Sequence, residues 1–171
     1  MANFSPLNNY TLYILDKIIA KYQLKSPFLD GGCGTSYVSR YLAMKGWEGK
    51  AIDLSEDAVR VSRENLSSFD KVKVAKEGIL NQKGKFNTVI LFDVIEHIKD
   101  DEKVLRKINH LLNPNGFVLL ALTSNPKEWR WDDEFYGHYR RYNENDIRTK
   151  LIKANLEPKD FIEYTFPVFW L

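Results

Sequence analysis

The 171-residue chain is poor in cysteine, histidine and net charge, and each shortage removes a class of protein. A single cysteine excludes an internal disulfide, and no Cys/His cluster has the spacing of a structural zinc site. A formal net charge of +2 is too small to indicate a nucleic-acid partner by itself. No apolar stretch approaches the roughly 20 residues that span a bilayer, so no transmembrane segment is expected. The first residues lack a basic region followed by an apolar core, so no signal peptide is expected and the cytoplasm is the default location. The apolar run at 166–171 is short and reads as core packing. What is present is an ordinary globular composition, 44% hydrophobic and 28% charged, in a length that suits one domain with one sizeable core.

The most informative stretch is Phe28-Leu29-Asp30-Gly31-Gly32-Cys33-Gly34-Thr35-Ser36. An apolar run reaches an acidic residue, a glycine-rich turn follows, and a helical pattern opens with Tyr37, Val38, Tyr41 and Leu42. This is the strand, tight loop and helix order of a nucleotide-binding βα unit. Gly32 and Gly34 allow a sharp turn and close ligand approach, and free N–H groups at the helix start would favour a carboxylate or phosphate. A second acidic residue, Asp53, closes the next apolar run about 20 residues on, where a ribose-binding carboxylate belongs. The dinucleotide fingerprint would need glycine at 37; Tyr37 stands there, which disfavours a pyrophosphate ligand and a nicotinamide enzyme.

Strand and helix patterns alternate along the rest. A first helix is expected within 1–25, capped at Asn8 or Thr11, with Leu12, Leu15, Ile18, Ile19 and Tyr22 at helical spacing. Ser55-Glu56-Asp57 opens a helix with acidic residues suited to its dipole, and Val72 and Val74 mark a third strand. Val89-Ile90-Leu91-Phe92 reads as a buried central strand ending at Asp93, and 99–112 as an amphipathic helix. A turn is expected at Asn113-Pro114-Asn115-Gly116, a fifth strand at 117–122, a helix at 144–155 and a sixth strand at 161–166. The fold class is therefore α/β: a doubly wound, mainly parallel Rossmann-like sheet with helices on both faces, a three-layer αβα sandwich. Ligands of such sheets lie beyond the carboxyl ends of the strands, which gathers the segments after Asp30, Asp53, Asp93 and Thr123 around one crevice.

Asp30-Gly31-Gly32-Cys33-Gly34 resembles the D-x-G-C-G first motif of class I S-adenosylmethionine (SAM) dependent methyltransferases, with Ser36 where a third glycine is common. Phe92-Asp93-Val94-Ile95-Glu96-His97-Ile98 and Leu112-Asn113-Pro114-Asn115-Gly116 are similar to that family's strand-four and pre-strand-five segments. Gly137-His138-Tyr139-Arg140-Arg141-Tyr142 is similar to a segment of its small-molecule and lipid-type members. The resemblance implies SAM as cofactor and S-adenosylhomocysteine as product. It implies that Asp30, Gly31, Gly32, Cys33 and Gly34 shape the methionine pocket, that Asp53 and Leu54 hold the ribose and adenine side, and that Asp93 lies near the sulfonium. The family's usual acidic residue after strand three aligns with Gly78, and the candidates to take its place are Glu77 or backbone N–H groups alone. The family's seventh, antiparallel strand has no counterpart here, so a sheet edge is left that invites a homodimer.

The long segment 124–143 follows strand five on the crevice edge and reads as a substrate lid, with Trp129, Tyr136, His138, Arg140 and Tyr142 as acceptor-binding residues. Histidine has the intrinsic pKa of a general base, and His97, just beyond strand four, and His138, from the lid, are the candidates. Asp93, Glu96 and His97 stand too close together to form a metal-ligand pattern, so no metal is expected. The leading expectation is a single domain spanning 1–171 that transfers a methyl group from SAM to a small-molecule acceptor. The alternatives are a SAM-binding chain without transfer activity or dependent on a partner, and an RNA methyltransferase using Arg130, Arg140 and Arg141 among aromatics.

Overall fold

The computed structural model describes residues 6–163. Five strands, β1 (Phe28–Gly31), β2 (Gly49–Asp53), β3 (Val72–Lys76), β4 (Phe86–Phe92) and β5 (Leu112–Ala121), form one sheet in the order β3-β2-β1-β4-β5. Every pairing is parallel. Helices α1 (Pro6–Tyr22), α2 (Tyr37–Met44), α3 (Glu56–Leu66), α4 (Asp101–Leu111), α5 (Trp131–Tyr136) and α6 (Glu144–Lys153) complete the order. Parallel strands need crossovers, and helices in those crossovers must cover both faces of the sheet.

The period-two alternation of the strands sorts the core into two halves. Phe28 and Ile90 turn to the face where Leu12 and Leu15 of α1, Val38 and Leu42 of α2 and Leu66 of α3 bury their apolar sides. Leu29, Val89 and Leu91 turn to the other, against Val104, Leu105 and Ile108 of α4 and Ile147 and Leu151 of α6. The three-layer αβα arrangement follows from that split. Ser55 Oγ accepts the Ala58 N–H at the start of α3, as the sequence suggests, and Asp100 and Asn143 cap α4 and α6 in the same way.

Four expectations are corrected. The first helix starts at Pro6, ahead of both proposed caps. The turn at 113–116 lies inside β5: Leu112 pairs with Phe86 and Phe117 with Thr88, so the strand bulges around Asn115, whose φ is 61°. The segment 124–143 is not an unstructured loop, since it carries a 3₁₀ turn (Pro126–Glu128) and helix α5. Of the expected sixth strand, Phe161, Ile162 and Glu163 have no regular structure, and 164–166, like the apolar run at 166–171, lie outside the described residues.

Strand order reverses at β1: the chain steps outward through β2 and β3 on one side, then returns to pair β4 and β5 on the other, so β1 and β4 flank the switch point. Their carboxyl ends therefore open a crevice, and the site is built there.

Candidate functional site

The glycine loop leaves β1 through backbone that L side chains adopt with strain. Gly32 has φ 72° and Gly34 φ 52°. A β-carbon on Gly32 would lie 2.5 Å from Val94 Cγ2, so the loop and the segment after β4 are in direct contact. A β-carbon on Gly34 would meet nothing within 4 Å, so the loop faces open space at that point. The loop's N–H groups are largely spent inside the protein, contrary to the sequence expectation. Those of Gly32 and Cys33 donate to the Ile52 carbonyl, that of Ser36 to the Cys33 carbonyl, and that of Gly34 to Asp53 Oδ2 at 2.9 Å. The other Asp53 oxygen accepts the Ser55 N–H, also at 2.9 Å. One carboxylate thus fixes the glycine loop and the start of α3 together.

Two buried hydroxyls complete the support and have no motif of their own. Ser62 of α3 donates to the Gly34 carbonyl, shares a hydrogen bond with Ser36 and lies 3.4 Å from Cys33 Sγ. Ser39 of α2 donates to Asp30 Oδ2 at 2.6 Å. Asp30 is buried and pairs with no cation among the described residues; burial, opposed by Ser39 and augmented by the nearby Asp53, raises its pKa from 3.8 to about 6. Burial also pushes the Cys33 thiol up, so at neutral pH it is a wall residue and no nucleophile.

On the β2 and β3 side, Leu54 is 72% exposed beside Gly78, where a side chain would begin to press on it. Together they form a flat apolar ledge. Glu77 is held next to it by Lys50 Nζ at 3.0 Å and Gln82 Nε2 at 2.6 Å, and the Lys50 hydrogen bond keeps its carboxyl below the usual range.

On the other side of the crevice, Asp93 has φ 55° and donates its N–H to the Ala121 carbonyl. It stands at the mouth, but the surrounding protein crowds its carboxyl; this loss of water, with Glu96 nearby and against the pull of His138, raises its pKa to about 6. Glu96 is fully buried between the ends of β4 and β5. Its Oε1 accepts from the Thr123 N–H and hydroxyl, and its Oε2 has no partner among the described residues. His97 is exposed, and its ring meets that of His138 edge-on at a centroid distance of 4.6 Å. The two residues predicted separately as bases are neighbours.

The segment 124–143 closes on itself through the bridge between Ser124 and Tyr142 and the hydrogen bonds from the Tyr142 N–H to Thr123 and from the Asn125 N–H to Tyr142. It divides the five predicted acceptor residues into two sets. Trp129 and Tyr136 are exposed, as are Trp131, Phe135 and Tyr139, and His138 faces His97. Arg140 and Tyr142 are anchors. Arg140 donates to the Ile98 and Lys99 carbonyls at 2.7 Å each, and Tyr142, buried, donates to Asp101 at 2.8 Å, where Lys150 also pairs. Arg141 is held by Asp133 and Arg130 by Asp132, so the cations that suggested RNA binding are engaged within the protein. Among the described residues no group of three or more His, Cys, Asp or Glu is arranged to hold a metal ion.

A glycine-rich loop, acidic residues at the ends of β1 and β2, and a 3-2-1-4-5 parallel sheet define an α/β domain of the nucleoside-binding class. The chain belongs to the methyltransferase family: the family model described as "Methyltransferase domain" matches residues 9–159. It is 30% identical over 184 residues to a ubiquinone biosynthesis O-methyltransferase of Dechloromonas aromatica (strain RCB), covering 96% of this chain and 79% of that one. It is 28% identical over 134 residues to the protein of the same name from Pelagibacter ubique (strain HTCC1062), covering 69% of this chain and 55% of that one. For several of these relatives the chain thus spans only about half of their length, 55%, 58% and 44% in three cases. The fold matches a magnesium protoporphyrin IX methyltransferase of Synechocystis PCC 6803, solved with bound S-adenosylhomocysteine, with a TM-score of 0.73, 19% identity, and coverage of 92% of this chain and 79% of that one.

Proposed function

We propose that this chain methylates a hydroxyl group of a small aromatic acceptor, with SAM as the methyl donor. The observation that carries the proposal is the meeting of Asp93, His97 and His138 at the ends of β4 and β5, packed through Val94 against the glycine loop. The residues fit the donor. Gly34 leaves open the space a side chain would fill, and Asp30 is a buried carboxylate without a cationic partner among the described residues, suited to an ammonium group. Asp30 and the loop 31–34 would hold the methionine end, Asp53 the ribose, and Leu54 with Gly78 the adenine face. SAM supplies a methyl on a sulfonium; the acceptor oxygen's electron pair forms the new carbon–oxygen bond and the carbon–sulfur pair leaves with sulfur.

The chain's own part is orientation and proton removal. Alignment of two bound reactants supplies much of such a rate, about 7–11 kcal/mol in good cases. His97 and His138 lie where a hydroxyl proton would be released, and the exposed aromatics of the lid offer flat apolar surface to an aromatic ring or isoprenoid-like tail. The names of the O-methyltransferase relatives support an acceptor of the quinone-precursor type. The lone cysteine agrees with work in the cytoplasm.

Asp53→Ala is expected to weaken S-adenosylhomocysteine binding about tenfold or more, since charged hydrogen bonds of roughly 1.5–3 kcal/mol are lost. Calorimetric titration reads this directly, and unchanged affinity removes Asp53 from the site. The proposed activity is tested by transfer of labelled methyl from SAM to a panel of catechols, phenols and carboxylates. Cofactor binding with no transfer to any acceptor would replace it with a SAM-binding role. We extend the proposal to a homodimer paired through β5, whose outer edge has no strand partner among the described residues. Light scattering giving the 20.0 kDa monomer mass at high concentration would remove that part.

A further inference from the structure

His138 is not held by its ring alone. Its backbone N–H donates to the Asp133 carbonyl at 2.8 Å, and its Nδ1 lies 2.8 Å from Asp133 Oδ1. Asp133, in α5, is only 1% exposed, and no part of its carboxylate is idle. Oδ1 also accepts from Arg141 Nε at 2.8 Å, and Oδ2 accepts the Arg130 N–H at 2.8 Å, which fastens the first turn of α5. Arg141 is itself nearly buried and reaches the Ser124 carbonyl and Glu128.

The chemistry of that carboxylate decides which ring nitrogen of His138 carries the proton. The Arg141 hydrogen bond, with the Arg130 N–H and His138 against the cost of burial, holds Asp133 well below the usual carboxylate range. An ionised carboxylate can only accept. The His138 Nδ1 must therefore be the donor, and in the neutral ring Nε2 keeps a free electron pair. The ring lies against His97, in the crevice that holds Asp93, with its side chain only 12% exposed.

We propose that Asp133 is the positioning residue of the proposed reaction, fixing His138 as the Nδ1–H tautomer so that Nε2 receives the acceptor's hydroxyl proton. The inference rests on the methyltransferase reading above and adds a residue to it. On transfer the O–H bond breaks, its electron pair stays on oxygen for the new bond to carbon, and the proton moves to Nε2. The imidazolium so formed stands against the Asp133 carboxylate, and Arg141 holds that carboxylate in place. The charged and titratable groups facing His138 are Asp133 and Arg141 from the lid and Asp93, Glu96 and His97 from the segment after β4.

Two measurements test this. In the wild-type protein, the ¹⁵N shifts of the three histidines, with His138 identified by loss of its signal in His138→Gln, should show His138 as the Nδ1–H form at pH 8; an Nε2–H form overturns the proposal. In Asp133→Asn, kcat should fall at least about tenfold while S-adenosylhomocysteine affinity changes less than twofold. In the same variant the ¹⁵N shifts should show His138 moving away from the pure Nδ1–H form, because the amide that replaces the carboxylate can donate as well as accept. A folded variant with wild-type kcat, or one that loses kcat while His138 stays purely Nδ1–H, overturns the proposal, and if the variant does not fold, the wild-type tautomer decides. Absence of methyl transfer by the wild type would remove the proposed function instead, and the tautomer is read on the same sample without turnover.

Discussion

Gly49→Ala is expected to destabilise the protein by about 3 kcal/mol or more, enough to unfold much of the population of a domain with ordinary stability. Gly49 opens β2 and sits opposite Phe28 in the register of β1 and β2. A β-carbon there would lie 2.4 Å from Phe28 Cδ1 and 2.5 Å from the Phe28 carbonyl oxygen. The ring is fully buried on the face covered by α1, α2 and α3, so it has nowhere to turn, and the oxygen belongs to the ladder itself. Relief requires β2 to move off β1, which would also displace Asp53 and with it the glycine loop it ties. Urea unfolding of the variant measures the loss. A stability within about 1 kcal/mol of the wild type would show that the two strands accommodate a methyl group between them, contrary to the packing described.

Gly49 also illustrates what the sequence makes legible. It reads only as punctuation before a strand, and its real constraint is a contact with a residue in the neighbouring strand. Local patterns identified five strands and most helices because apolar alternation and caps such as Ser55, Asp100 and Asn143 are written within a few residues of their effect. The bulge at 113–116 was hidden for the opposite reason. Asn-Pro-Asn-Gly has turn chemistry, and only the pairing of Leu112 with Phe86 shows that the strand begins before it. Helix α5 is too short and too aromatic to show a helical stripe, and its first turn is held by Asp133, a contact visible only once the chain is folded.

The site divides in the same way. Asp30, Asp53 and Asp93 each close an apolar run and could be placed by topology alone. His97 and His138 are far apart in sequence, and their meeting depends on the segment 124–143 folding back over the end of β4. Ser39, Ser62 and Asp133 carry no motif; the nearest signal was Asp133 lying one short helix before His138 and Arg141, with residue types that pair when buried. Arg140 and Tyr142, by contrast, resemble ligand-binding residues in composition and are spent on Ile98, Lys99 and Asp101.

Asp30→Asn is expected to stabilise the ligand-free protein in alkaline conditions and to weaken its hold on SAM. In the folded protein Asp30 binds its proton more tightly than in the unfolded chain, with a pKa of about 6 against 3.8. Its contribution to stability is therefore intact below pH 3.8 and is lost as pH rises through 6. The full difference is about 3 kcal/mol, and it applies because the group is buried. Asparagine keeps the shape and the oxygen that accepts from Ser39, and it has no proton to lose. The stability of the variant relative to the wild type should thus rise by up to about 3 kcal/mol between pH 4 and pH 8, read by urea unfolding at both values. Asp93, whose pKa is also raised to about 6, titrates in both proteins and cancels in the difference. A difference that does not change with pH would mean that Asp30 is ionised without penalty, through a cation or water that shields it. Under the proposed function the cost has a use, since the ammonium group of bound SAM would pair with Asp30 and remove the penalty. The same substitution should therefore lower SAM affinity even as it strengthens the apo fold.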